Sequence, residues 1–234
     1  PILGCKDDYF YRNKLEFTFT DYRWITQEQL NSGEEFTHRN GLGFHIPGFW
    51  DKVVDVQKCH LQKEPSNAIR NRVREIAIAN GMSFYNIRDK HGFLRILMLR
   101  TSTTNEVMVV FQFGEENPEW MEIMFKTVLA EFPEITSLQY AINTKENDSI
   151  YDLDIICYHG RPYILEEMPA YYPGQPPLHF RIGPKSFYQT NSDQAYELYK
   201  VTRDLAGLTG NEIVYDLYTG TGTIANFIAK QAKQ

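Results

Sequence analysis

The 234 residues read as an α+β protein: a largely antiparallel sheet with helices, followed by one strand–glycine turn–helix unit of the kind that opens a nucleotide-binding sheet. Two observations carry this reading. Apolar segments follow one another in the order β-β-α-β-β-α-β-β, the order of an α+β domain. Near the C-terminus, Ile213-Val-Tyr-Asp-Leu-Tyr-Thr-Gly-Thr-Gly-Thr-Ile-Ala225 reads as a buried strand, a turn and a helix. Asp216 stands at the strand end, and Gly220 and Gly222 lack the Cβ atoms that keep a ligand off the backbone.

The elements follow in order. Lys14-Leu-Glu-Phe-Thr-Phe-Thr20 alternates like a half-buried strand. Gly41–Ile46 and Val53–Val56 give the next two, with Pro47-Gly48 as a turn between them. Residues 65–80 form a helix: Pro65 suits the first turn, Ile69, Val73 and Ile76 make the apolar stripe, and Asn80-Gly81 ends it. Strands over Phe93–Leu99 and Glu106–Phe113 follow. Asn117-Pro118 then caps a helix that runs to Phe132, with Trp120, Met124, Val128 and Phe132 at core spacing. Strands are expected near 135–143 and 150–158. Residues 169–177, with four prolines, read as a linker between a central domain, 1–168, and a final unit, 178–234. A helix from about Asp193 to Ala206 leads into the glycine turn.

The composition, 42% hydrophobic, suffices for a real core. No stretch is apolar over a bilayer's width, and the N-terminus is not a signal peptide. The net charge of −6 argues against indiscriminate nucleic-acid binding. Its distribution permits a local phosphate-binding surface, because residues 1–100 hold 15 Lys+Arg against 12 Asp+Glu and residues 101–234 hold 9 against 18. Cys5, Cys59 and Cys157 are odd in number, widely spaced and without a CxxC pair, so no zinc site or disulfide framework is legible. The compartment expected is the reducing cytoplasm. Pro1-Ile-Leu-Gly is not an initiator sequence, and the chain stops nine residues after Ala225. The expectation is a piece of a larger enzyme.

Two segments carry chemistry. Gly220-Thr-Gly222-Thr-Ile-Ala225 satisfies the dinucleotide pattern G-x-G-x-x-G/A. An acid, Asp216, four residues before the first glycine, with Tyr218 between them, favours S-adenosylmethionine. An ordinary strand–turn–helix remains the bland alternative. The second segment, Phe180–Asn191, places Phe187, Gln189 and Asn191 at alternate positions, on one side of an extended strand. A ring to stack on a base and an amide to read its edge suit a pyrimidine. The alternative is Phe187 in the core with the polar residues outward.

Taken together, Phe187-Tyr-Gln189-Thr-Asn191, a helix, and Tyr215-Asp-Leu-Tyr-Thr-Gly-Thr-Gly222 resemble the RNA (uracil-5-)-methyltransferase family. Tyr11-Arg-Asn-Lys14 resembles the family's opening of the central domain. Gly41-Leu-Gly-Phe44 with Val53-Val-Asp-Val-Gln-Lys-Cys59 resembles its ribosomal-RNA branch. The likeness covers nearly the whole chain, as central domain plus the first βα unit of a Rossmann-like S-adenosylmethionine methyltransferase domain.

The resemblance implies S-adenosyl-L-methionine as cofactor and RNA as substrate, ribosomal favoured over transfer RNA, with no membrane or protein partner. It assigns Gln189, Asp216, Tyr218, Gly220, Gly222 and Thr223 to the cofactor side. Phe187, Gln189, Arg12 and Lys14 fall on the RNA side. It makes Cys59 the last ligand of a [4Fe–4S] cluster whose other thiolates lie outside this chain. In the family, a cysteine thiolate adds to carbon 6 of uracil so that carbon 5 can attack a sulfonium methyl, and a carboxylate then removes the carbon-5 proton. Nucleophile and base both lie after the glycine turn, so the fragment is expected to be inactive alone. Two other readings stay open: a non-catalytic RNA-binding module and a dinucleotide oxidoreductase.

Overall fold

The computed structural model describes residues 2–33, 35–36, 38–170 and 174–234. Seven strands form the main sheet: β1 (Lys14–Thr20), β2 (Gly41–His45), β3 (Val53–Asp55), β4 (Leu94–Thr101), β5 (Val107–Phe113), β6 (Ile135–Ile142) and β7 (Ile156–Gly160). Their order is β3-β2-β1-β4-β5-β6-β7. Each neighbouring pair is antiparallel except β5–β6. That parallel pair is joined by α3 (Pro118–Glu131), as a crossover requires. The largely antiparallel sheet expected from the element order is what the chain builds.

The two central strands explain the layering. β4 and β5 are mostly apolar and buried on both faces except at Thr101, the mark of strands covered on both sides. Leu97, Leu99, Val109, Phe111 and Phe113 point into one core with α2 (Ser66–Ala79) and α3, through Ile69, Val73, Met124 and Val128. Met98, Met108 and Val110 point the other way, into a second core. That core is covered by the hairpin of β8 (Ile164–Met168) and β9 (Leu178–Ile182), by α4 (Ser192–Ala206) and by α5 (Thr223–Ile228). β1 shows the alternation that half-burial dictates: Leu15, Phe17 and Phe19 are inside, with Glu16 exposed between them.

The start of α3 and the end of α2 are as their sequences require. The Asn117 side chain accepts from the Trp120 N–H at 3.1 Å with Pro118 in the first turn. Asn80 and the left-handed Gly81 (φ +63°) end α2. A short helix, α1 (Gln27–Asn31), carries a Thr26–Gln29 capping box that the sequence reading passed over.

Four expectations are corrected. The strand expected near 150–158 lies at Ile156–Gly160. Residues before it are taken up in polar tethers: buried Arg95 donates to the Asn143 and Lys145 carbonyls at 2.8 and 2.6 Å and to Asp148 at 2.8 Å, and the Leu153 N–H closes a turn on Ile150. The β8–β9 hairpin was not foreseen. The proposed linker, 169–177, is its connection, with residues 171–173 outside the described residues. Ile213–Asp216 is extended but neither buried nor part of a sheet: Val214 donates to the Gln234 carbonyl at 2.8 Å, and Ile213 and Tyr215 are exposed. A strand needs neighbours for its ladder, and none of the described strands lies beside this one. Finally, of the Phe180–Asn191 segment only its first three residues, Phe180-Arg-Ile182, are strand, the end of β9.

Candidate functional site

The segment after β9 keeps the alternation expected of it without pairing in a sheet. Phe187 and Gln189 face solvent, Phe187 at 68% exposure, while Tyr188 between them is buried in the second core. Asn191 departs from the expectation. Its side chain accepts from the Gln194 N–H at 3.0 Å as the N-cap of α4, so it is committed to the helix rather than to a base.

Three side chains hold this backbone in place. Asn13 donates from Nδ2 to the Gln189 carbonyl at 2.8 Å and to Ser192 Oγ at 2.9 Å, and its own N–H donates to the Thr190 carbonyl at 2.7 Å. Buried Arg100, on β4, donates to the Ser186 carbonyl at 2.7 Å, and burial pulls its pKa down to about 10. Buried Glu166, on β8, accepts from the Thr103 N–H at 3.2 Å and from Ser192. Burial raises its pKa, as it does that of Tyr188 next to it. None of these three was singled out for function in the sequence; Asn13 was visible only as a letter in Tyr11-Arg-Asn-Lys14.

The glycine turn is tightly coiled. Tyr218 (φ +62°), Gly220 (φ +58°) and Gly222 (φ +74°) are all left-handed. For tyrosine that conformation is costly, roughly 1–2 kcal/mol, and the ring stands wholly in solvent. Asp216 ties the turn together: its carbonyl accepts from Thr219 Oγ1 at 2.6 Å and its carboxylate from the Ala225 N–H at 3.2 Å. A Cβ on Gly220 would meet nothing closer than 3.9 Å, so that side of the turn is open for a ligand to approach. Thr223 is buried and bonded to the Tyr199 hydroxyl at 3.2 Å, which anchors the turn to α4.

The two segments meet. Thr221 Oγ1 donates to the Phe187 carbonyl at 3.2 Å. An exposed ring and amide on one segment therefore adjoin an open glycine turn on the other, the adjacency a base beside a cofactor requires. Of the predicted phosphate contacts, Arg12 lines a cavity of about 360 Å³ with Tyr9, Lys63, Ser102 and Asp193. Lys14 is paired with Glu16 at 2.7 Å and stands less ready for a phosphate.

The cysteines lie apart from the turn. Cys59 is buried in the first core, with its N–H and carbonyl both bound by Asn67, at 2.7 and 3.1 Å. Cys157 lies on β7, its thiol pKa raised by burial. Cys5 touches Asn191 Nδ2 at 3.2 Å. Among the described residues no group of three or more His, Cys, Asp or Glu could hold a metal. Cys59 supplies one thiol where a four-thiolate cluster needs four. No helix among the described residues is long and apolar enough to cross a membrane.

No family model matches the sequence. The chain is 51% identical, over its whole length, to half (51%) of a protein of Bacteroides thetaiotaomicron named an uncharacterized RNA methyltransferase. It is 50% identical, over 99% of its length, to 50% of a Porphyromonas gingivalis protein of the same name. Among solved structures, it is similar to the Pyrococcus abyssi tRNA (uracil-54, C5)-methyltransferase in complex with S-adenosyl-L-homocysteine, with a TM-score of 0.67 and 26% identity over 97% of this chain and 48% of that one. From end to end, then, the chain is similar to RNA methyltransferases, and it spans about half the length of these relatives.

Proposed function

We propose that this chain is the RNA-reading half of an S-adenosylmethionine-dependent RNA (uracil-5-)-methyltransferase, with ribosomal RNA as substrate. The observation that carries the reading is the docking of the glycine turn on the Phe187–Gln189 segment through Thr221. Phe187 offers its exposed face to the uracil ring. Gln189, its backbone fixed by Asn13, offers a donor and an acceptor to the base edge. The left-handed glycines let a cofactor approach the turn, and Tyr218 stands free to cover it. S-adenosylmethionine, when bound, supplies an electrophilic methyl group.

The chemistry at carbon 5 needs a thiolate nucleophile. None of the three cysteines serves: Cys59 and Cys157 lie elsewhere, and Cys5 is engaged with Asn191 and the Asp7 carbonyl. The 234 residues alone are therefore expected to transfer no methyl group. The cluster expected at Cys59 needs three thiolates from outside these 234 residues, and no step of this reading passes through it.

A transfer-RNA substrate is the second reading, favoured by the likeness to the Pyrococcus enzyme. The test is to express the chain at the full length of its relatives and to digest treated ribosomal and transfer RNA for mass spectrometry. New 5-methyluridine in ribosomal RNA supports the first reading, and in transfer RNA alone the second. Methylation at another atom contradicts both.

A further inference from the structure

At the β3 edge of the main sheet, four aromatic side chains stand in solvent: Tyr22, Trp24, Phe49 and Trp50. They include two of the three tryptophans in the chain. The fold brings them together from separate segments. Trp24 runs alongside β3, its N–H donating to the Val53 carbonyl at 2.8 Å. Phe49 and Trp50 sit on the turn between β2 and β3. Folding leaves these rings uncovered, and an exposed aromatic cluster of this kind marks an interaction surface.

The charges between the rings say what it fits. The Lys52 ammonium lies 4.4 Å from the centre of the Trp24 ring and 4.0 Å from that of Phe49. The Arg39 guanidinium lies 4.0 Å from the centre of the Tyr22 ring. Arg88 is bound to Asp51 on the turn. Two aspartates lie close by, Asp51 on the turn and Asp55 on β3. Both aspartates are already neutralised, Asp51 by Arg88 and Asp55 by Arg23 and Arg74. Arg39 and Lys52 thus set two cations directly against these rings.

Ring faces alternating with cations suit a strand of unpaired bases joined by phosphates. A duplex keeps its base faces stacked and offers nothing to these rings. We propose that Trp24, Phe49, Trp50 and Lys52 form a second RNA contact that stacks unpaired bases, separate from the methyl-transfer site. The proposal rests on the RNA reading above.

The test is a fluorescence titration of the 234-residue chain with a uridine oligonucleotide of about twelve nucleotides, and with a duplex of equal length. The single strand should quench tryptophan emission and bind more tightly than the duplex. Phe49→Ala and Trp50→Ala should each weaken it by about tenfold, with Trp50→Phe restoring most of the loss. Lys52→Ala should flatten the dependence of log affinity on log salt by about one. Melting curves identify any variant that misfolds, and because these side chains are exposed the Phe49 and Lys52 variants remain informative. Equal binding by wild type and ring variants would remove this surface and leave the RNA reading intact. No binding of either RNA would remove this surface too, while 5-methyluridine formation by the longer protein judges the methyl-transfer reading separately. A concentration-dependent dimer dissolved by Trp50→Ala would instead assign the patch to a second copy of the chain and overturn the proposal.

Discussion

Asn13 and Gln189, 176 residues apart in sequence, meet through a 2.8 Å hydrogen bond from the Asn13 amide to the Gln189 carbonyl. The bond spares the Gln189 side chain, which is left exposed. Asn13 also takes Ser192 Oγ and the Thr190 carbonyl. The start of β1 is thereby a brace for the segment that presents Phe187 and Gln189.

Asn13→Ala should loosen that segment. Losing the two amide bonds costs about 1–3 kcal/mol, because their partners are left without a protein donor. Hydrogen exchange should quicken at residues 187–192 and stay unchanged across β4 and β5. Unaltered exchange at 187–192 would show that the brace is redundant.

Glu166 gives a pH signature. Burial raises its pKa above the ordinary 4.5, and the nearby Asp193 charge adds to the rise. The folded state thus favours the protonated carboxyl. The stability this group contributes is fully present below 4.5 and is lost as pH rises through the raised value. Glu166→Gln keeps an acceptor for Thr103 and cannot ionise. Its stability relative to wild type should climb with pH across that window and then level off, as read by urea denaturation. A difference independent of pH would mean that Glu166 is not held protonated.

Tyr218→Gly separates folding from function. The ring is wholly exposed and its backbone left-handed, so glycine relieves strain while adding freedom to the unfolded chain. The melting temperature should move by only a few degrees, while methyl transfer by the longer protein should fall at least tenfold. Full activity would remove Tyr218 from the site.

Much of this was legible in the sequence because it depends on local pattern. The largely apolar runs of β4 and β5, the Asn117-Pro118 start and the Asn80-Gly81 stop carry their own structural meaning. The glycine turn was legible for the same reason, since left-handed positions select glycine. What escaped depends on distant partners. Ile213–Asp216 has a strand's composition, but composition does not supply a neighbour. The β8–β9 hairpin is defined by a pairing across a proline-rich link. Nothing local in the sequence distinguishes Arg100 and Glu166 from surface charges; the fold buries them beneath the 184–192 segment. Asn191 looked like a base reader because an Asx cap and a base-reading amide use the same side chain.

The central claim is that the exposed amide of Gln189 reads a uracil beside the glycine turn. The most direct measurement compares wild type with Gln189→Ala in the chain expressed at the length of its relatives, following 5-methyluridine formation and melting temperature together. The account predicts a loss of about tenfold or more in methylation, as for a removed hydrogen bond worth about 1.5 kcal/mol or more, with the melting temperature unchanged. Wild-type methylation by Gln189→Ala at the same melting temperature would contradict it.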